Sequence, residues 1–101
     1  MRVKWLRGAI QNLNEEAEYI ANDNESASGK VVAAIRAAVQ LLADYPALGR
    51  PGRIAGTREL VVPGTPYIVP YRIRGNTVHV LRVFHEARKW PKSFDRSKKK
   101  K

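Results

Sequence analysis

From Leu6 onward the apolar period of this chain changes once, and that change limits the possible folds more than any other feature. Apolar residues first fall at Leu6, Ile10, Leu13, Ala17, Ile20 and Ala21, intervals that lay one stripe along a helix. The spacing predicts a helix over 7–23, interrupted by Asn22, Asp23 and Asn24. Ser26 or Ser28 then offers a cap for a second helix through Val31, Val32, Ile35, Val39 and Leu42. That helix must stop before Tyr45-Pro46, because a proline disfavours helical geometry in the residue before it. From Arg58 onward the period is two. Arg58–Val62, Tyr67–Ile73 and Thr77–Phe84 alternate and are rich in Val, Ile, Tyr and Thr, which predicts three strands, the last two joined at Gly75-Asn76. Between the two regimes, Pro46 to Gly56 holds prolines, glycines, Arg50 and Arg53, the composition of an ordered, irregular loop. Val3–Trp5, with Arg2 and Lys4 alternating, predicts a short opening strand.

The expected fold class is therefore α+β: a short N-terminal strand, an antiparallel helix hairpin, then a three-stranded antiparallel meander with the helices on one face. Pro70 falls inside the second alternating run, where a central ladder position would lose a donor, so an edge position or a bulge is expected there. The 101 residues suit a single domain over 1–91, followed by a basic, solvated tail over 92–101. With no cysteine and two histidines, disulfide, thiolate and dedicated metal sites are not expected, and neither is a cofactor. The longest apolar stretch, Val31 to Ala43, is interrupted by Arg36 and Gln40 and is shorter than the ~20 residues of a membrane span, so a cytoplasmic location with no membrane partner is expected.

The net charge of +10 is unevenly placed: residues 1–45 hold five basic and six acidic groups, residues 46–91 eight and two. Such a basic half favours a polyanionic partner, a nucleic acid or an acidic protein segment, or else serves solubility alone. Arg58, Arg72, Arg74 and Arg82 alternate with apolar residues, which places several guanidinium groups on one sheet face for anion binding, or else leaves them solvated. In the run Thr77–Phe84, simple alternation puts His79, Leu81 and Val83 on one face and Val78, Val80, Arg82 and Phe84 on the other. His79 reads as structural. His85 falls at a strand end, where it can act as a general acid or base or equally hydrogen-bond the backbone. Tyr67, Tyr71 and Trp90 have the chemistry to stack on bases, although aromatics in a small sheet are more often core. The glycines at 49, 52 and 56 lack the Lys-Ser/Thr ending of a phosphate-cradling loop.

Three segments carry a resemblance: Pro-x-x-Gly-Arg-Pro-Gly at Pro46 to Gly52, GTRELVVPGTPYIVPYRI at Gly56 to Ile73, and VLRVFHEARKWP at Val80 to Pro91. In this order and spacing they resemble the RelE/ParE superfamily of bacterial toxins from type II toxin–antitoxin modules. The resemblance implies a cytoplasmic toxin silenced by a co-encoded antitoxin, ParD-like or other, whose C-terminal segment wraps it. RelE-like members cleave messenger RNA in the ribosomal A site, using among other basic residues one arginine after the tyrosine of the middle strand and one after the last strand. Those places hold Ile68 and Glu86 here. The resemblance thus favours the ParE-like branch, which inhibits DNA gyrase without being an enzyme; the alternative is a ribosome-dependent endoribonuclease in which His85 acts as acid or base. The expected target-binding face comprises Arg58, Arg72, Arg82, His85, Arg88 and Trp90, and the outer stripes of the two helices are the expected antitoxin dock.

Overall fold

The computed structural model describes residues 1–87, 90, 91 and 94. In chain order it contains β1 (Arg2–Trp5), α1 (Arg7–Ala21), α2 (Glu25–Gln40), a 3-10 turn at Leu41–Ala43, β2 (Arg50–Pro51), β3 (Arg58–Val61), β4 (Tyr67–Arg74), β5 (Thr77–Val80) and β6 (Phe84–His85). The strands form one mixed sheet in the order β1-β5-β4-β3-β2, with β1 parallel to β5 and β6 lying beside β4. The helix hairpin packs on one face, as the change of apolar period predicts. Ile35 and Val39 from the second helix and Leu42 from the 3-10 turn that follows it join one core with Leu60, Val62, Tyr67, Val69, Tyr71, Val78, Val80 and Val83 from the sheet side. By length and composition alone Glu25–Ala43 would suffice to cross a membrane, but its inward residues belong to this core.

Several local expectations are corrected. The second helix is capped by Asn24, whose Oδ1 accepts the Ala27 N–H at 3.0 Å, because Ser26 already lies inside the first turn. Ser28 is buried instead, and its hydroxyl donates to the Ala17 carbonyl at 2.6 Å, joining the helices. On α1 the stripe is rotated from its expected position: Ala9, Leu13 and Glu16 are buried while Ile10 is 46% exposed. The reason is polar, since the Tyr67 hydroxyl donates to Glu16 Oε1 at 2.8 Å and so satisfies a carboxylate turned inward. The loop after Pro46 contains the two-residue strand β2, paired with β3 through Arg50↔Glu59 and Pro51↔Arg58.

The expected strand Thr77–Phe84 is broken by a β-bulge. Tyr71 pairs with Val80 and Ile68 pairs with Phe84, so Val69 and Pro70 on one strand face Leu81, Arg82 and Val83 on the other. The extra residue resets the alternation. Val80 and Val83 both enter the core, and Val83 does not share a face with His79. The Val83 N–H is taken by Asn12 Oδ1 at 3.1 Å, so α1 holds the bulge in place. Pro70 lies in a central strand at this point: it has no N–H to give, and its carbonyl still accepts the Leu81 N–H at 3.0 Å.

Candidate functional site

Strand parity divides the sheet into a helix-covered face and an open face. Leu60, Val69 and Tyr71 face the helices; Glu59, Ile68, Pro70, Arg72 and Arg74 alternate with them and lie opposite. The open face has two unlike ends. At one end Phe84 pairs with Ile68 and is covered by Trp90 and Phe94, at ring-centroid distances of 4.7 and 6.1 Å. Arg53 lies over Trp90, its guanidinium carbon 3.6 Å from the ring centroid. At the other end Arg2, Lys4, Arg72, Arg74, Thr77 and His79 stand uncovered or half-covered by other side chains.

The candidate arginines do not converge on one face. Arg58 pairs with Tyr71 and so points to the helix side, where its Nη1 donates to the Gly49 carbonyl at 2.6 Å. Tyr71 works on the same glycine: its hydroxyl accepts the Gly49 N–H at 2.8 Å and donates to the Pro46 carbonyl at 2.7 Å. Burial pushes the Tyr71 hydroxyl pKa up, against the opposing hydrogen bond from Gly49 and the nearby Arg58 charge. A side chain at position 49 would meet Tyr71 Cε1 at 2.7 Å and the Glu59 carbonyl oxygen at 2.8 Å, so glycine is required by contact. On the open face Glu59, only 3% exposed, accepts from Arg50 Nε and Nη2 at 3.2 and 3.0 Å and from the backbone N–H of Arg53 at 2.9 Å. Burial alone would raise the Glu59 pKa, but the Arg53 and Arg50 hydrogen bonds outweigh it and hold the carboxyl below its ordinary value. The Pro-x-x-Gly-Arg-Pro-Gly and Thr-Arg-Glu-Leu segments are thus one structural unit: the second strand of the pair clamps the loop from both sides.

Arg72 lies on the open face beside His79 of the neighbouring strand. Arg82, in the bulge, crosses over Gly8, where an added Cβ would stand 2.7 Å from its guanidinium carbon, and its Nη1 donates to the Leu81 carbonyl at 2.7 Å. His85 packs edge-on against Tyr67, centroids 5.5 Å apart, and its Nδ1 accepts the Ala87 N–H at 3.1 Å. Trp90 is half-buried, and its Nε1 has no hydrogen-bond partner among the described residues. Arg88 lies outside the described residues, as does the expected tail apart from Phe94. Tyr67 and Tyr71 are core residues, 3% and 0% exposed, so neither is a stacking platform. Among the described residues no group of His, Asp or Glu is placed to hold a metal ion. Sequence reasoning passed over Arg2 and Lys4 as site residues; the parity of the opening strand, with Val3 and Trp5 turned to the core, was the signal for them.

The two helices on a mixed sheet match solved structures from ParE and RelE toxin–antitoxin systems, which places the chain among the small toxins of type II toxin–antitoxin modules of the ParE/RelE superfamily. The chain belongs to the ParE toxin family of type II toxin–antitoxin systems, parDE, whose family model matches residues 3–90. It is 49% identical over 90 residues to the putative toxin Y4kP of Sinorhizobium fredii, covering 89% of this chain and 93% of that protein. It is 33% identical over 87 residues to toxin RelE2 of Caulobacter vibrioides, covering 86% and 97%. Among solved structures, a chain of the chromosomal ParDE system from P. aeruginosa superposes with a TM-score of 0.75 at 27% identity, covering 84% of this chain and 95% of that one. A chain of the RelBE2 toxin–antitoxin complex from Mycobacterium tuberculosis gives 0.63 at 27% identity, covering 83% and 95%.

Proposed function

We propose that this toxin arrests bacterial growth by binding DNA gyrase, performs no chemistry of its own, and is neutralised by a cognate antitoxin. The observation that most supports this is the fate of its guanidinium groups. Arg50 and Arg53 are committed to Glu59, and Arg58 to the Gly49 carbonyl. The two places where RelE-like enzymes carry arginines hold Ile68, 4% exposed, and Glu86. A carboxylate near a scissile phosphate opposes the negative charge that develops there, the reverse of what transition-state stabilisation needs. Family membership on the ParE side points the same way.

An antitoxin partner is supported by the two solved neighbours, both described as toxin–antitoxin systems or complexes. Ile10, Tyr19, Leu41, Tyr45 and Leu48 leave apolar surface on and beside the helix hairpin, suited to an amphipathic segment. Glutamate substitutions at Ile10 and Tyr19 are expected to abolish co-purification with the antitoxin; retained co-purification removes the helices from the dock.

The endoribonuclease alternative is supported by the RelE2 name of the Caulobacter relative and by half-exposed His85 at a strand end. A supercoiling assay with purified gyrase and antitoxin-stripped toxin separates the two. Inhibition, or accumulation of cleaved DNA, is the expected result. No effect from folded toxin, together with transcript cleavage in a translating extract, moves the target to the ribosome.

A further inference from the structure

The uncovered end of the open sheet face is an ordered array. Lys4 pairs with His79, and His79 with Arg72, making one row across three strands; Arg2 pairs with Thr77, and Thr77 with Arg74, making the next. Each row is a cation, a neutral or titratable hydrogen-bonding side chain, and a second cation. The rows lie two residues apart along the strands, about 6.6–6.8 Å, and the outer columns lie two strand spacings apart, about 9.6 Å. Neither Arg2, Lys4, Arg72 nor Arg74 forms an ion pair among the described residues. The acids are elsewhere. Over residues 7–44, the helix layer, there are three basic and six acidic groups, whereas residues 1–6 and 45–87 carry eight basic and two acidic, one of the two being the engaged Glu59.

We infer that this face binds the sugar–phosphate backbone of duplex DNA. Protein docking sites are built around desolvated apolar or aromatic anchors, and this array has none, since Val3 and Trp5 turn to the core. Every group it presents can donate a hydrogen bond, which suits phosphate oxygens. The row interval resembles the step between successive phosphates of one strand. Two cation columns argue for two backbones: long Lys and Arg side chains from columns about 10 Å apart reach the strands flanking a minor groove ~6 Å wide. The acidic helix layer on the opposite face orients the molecule toward a polyanion with this face leading. No base-reading element enters a groove, so the binding is independent of sequence. Gyrase is not needed for it, and a negative supercoiling assay leaves it standing.

The test compares full-length, antitoxin-stripped variants binding a fluorescent mixed-sequence duplex over a range of salt concentrations. Lys4→Gln with Arg74→Gln removes one cation from each column; Lys30→Gln with Arg36→Gln removes the same charge from the exposed side of α2. The array variant is expected to bind on the order of tenfold or more weaker at low salt, with the slope of log K against log salt reduced by about 1.8, while the helix variant keeps the wild-type slope. Equal losses in both variants, or in neither, overturn the site, because net charge or the C-terminal lysines then carry the binding. Two column variants, Arg2→Gln with Lys4→Gln and Arg72→Gln with Arg74→Gln, guard against a folding artefact and are each expected to weaken duplex binding at unchanged melting temperature. Dependence on only one column, with single-stranded DNA bound as tightly as duplex, overturns the duplex assignment. A poly-glutamate probe that loses binding to the array variant while DNA does not would assign the face to an acidic protein segment instead.

Discussion

Arg53 closes on Glu59 through three hydrogen bonds: its backbone N–H and Nε each donate to Oε2 at 2.9 Å, and Nη2 donates to Oε1 at 3.2 Å. The same guanidinium stacks on Trp90, so one arginine ties the loop, the third strand and the C-terminal aromatic segment together. Glu59→Gln keeps the shape but removes the charge and one acceptor oxygen. Because Arg50 and Arg53 remain about half exposed, water recovers part of the loss, and the expected cost is about 1–3 kcal/mol. In a domain of this size that is a fall of roughly 4–8 °C in Tm per kcal/mol, readable by thermal denaturation. An unchanged Tm would mean that the clamp contributes nothing.

The pH dependence of stability follows from the same carboxylate. Its folded pKa lies below the ordinary 4.5, so the folded state binds fewer protons than the unfolded chain through this range. The stabilisation is present above about pH 4.5 and is lost as pH falls through the folded value. Acid titration of stability should therefore be steeper in the wild type than in Glu59→Gln. Parallel curves for the two proteins would assign the acid loss to other groups.

Gly49 and Gly29 are expected to respond oppositely to alanine. A Cβ at 49 meets backbone oxygen and a buried ring below 3 Å, contacts that no rotamer change relieves, so Gly49→Ala should cost about 2–3 kcal/mol or leave the protein insoluble. A Cβ at 29 meets nothing within 4 Å and sits in the second helix, where alanine should add about 0.5–1 kcal/mol. Chemical denaturation of the pair checks both signs.

How much of this was legible beforehand depends on whether the deciding interaction was local. The hairpin and the strands followed from apolar spacing, since Ile35, Val39 and Leu42 or Leu60, Val69 and Tyr71 need only their own period to find the core. The bulge did not: Leu81, Arg82 and Val83 read as plain alternation, and the slip is set by Asn12 from a helix 71 positions away together with a proline on the facing strand. Ile10 was misplaced because the inward partner of Glu16 is Tyr67, 51 positions distant. Arg58 looked like a site residue because a sequence shows its charge but not the Gly49 carbonyl that uses it. Arg72 and the opening strand's cations were recoverable from parity once the parallel pairing of β1 with β5 was known, and that pairing is not encoded locally.

Tyr71→Phe isolates the hydroxyl from the ring. The ring stays in the core, but the Gly49 N–H loses its acceptor and the Pro46 carbonyl its donor in a buried setting, costing about 1–3 kcal/mol. The loss should be local to the loop, so hydrogen exchange at Gly49 is expected to accelerate more than exchange at Val69 or Val80. Equal acceleration at all three would show that the hydroxyl supports the whole sheet and not the loop.

His85 gives the sharpest separation between a binding toxin and an enzyme. Its Nδ1 already accepts the Ala87 N–H and its ring edge packs on Tyr67, both structural duties. Glutamine at this position retains a hydrogen-bond acceptor and comparable bulk but cannot relay a proton near neutral pH. If the protein acts by binding and His85 serves only these structural duties, His85→Gln should arrest growth as the wild type does, provided its Tm is maintained, and neither protein should cleave transcripts. General acid–base catalysis by histidine contributes typically 10²–10⁴-fold, so in an enzyme the same substitution would abolish arrest at unchanged stability. Loss of arrest, read by induction growth curves beside a melting curve and joined to transcript cleavage by the wild type that the variant lacks, would overturn the gyrase-binding proposal and place His85 at the reacting phosphate; loss of arrest with no cleavage by either protein would keep His85 on the target-binding face.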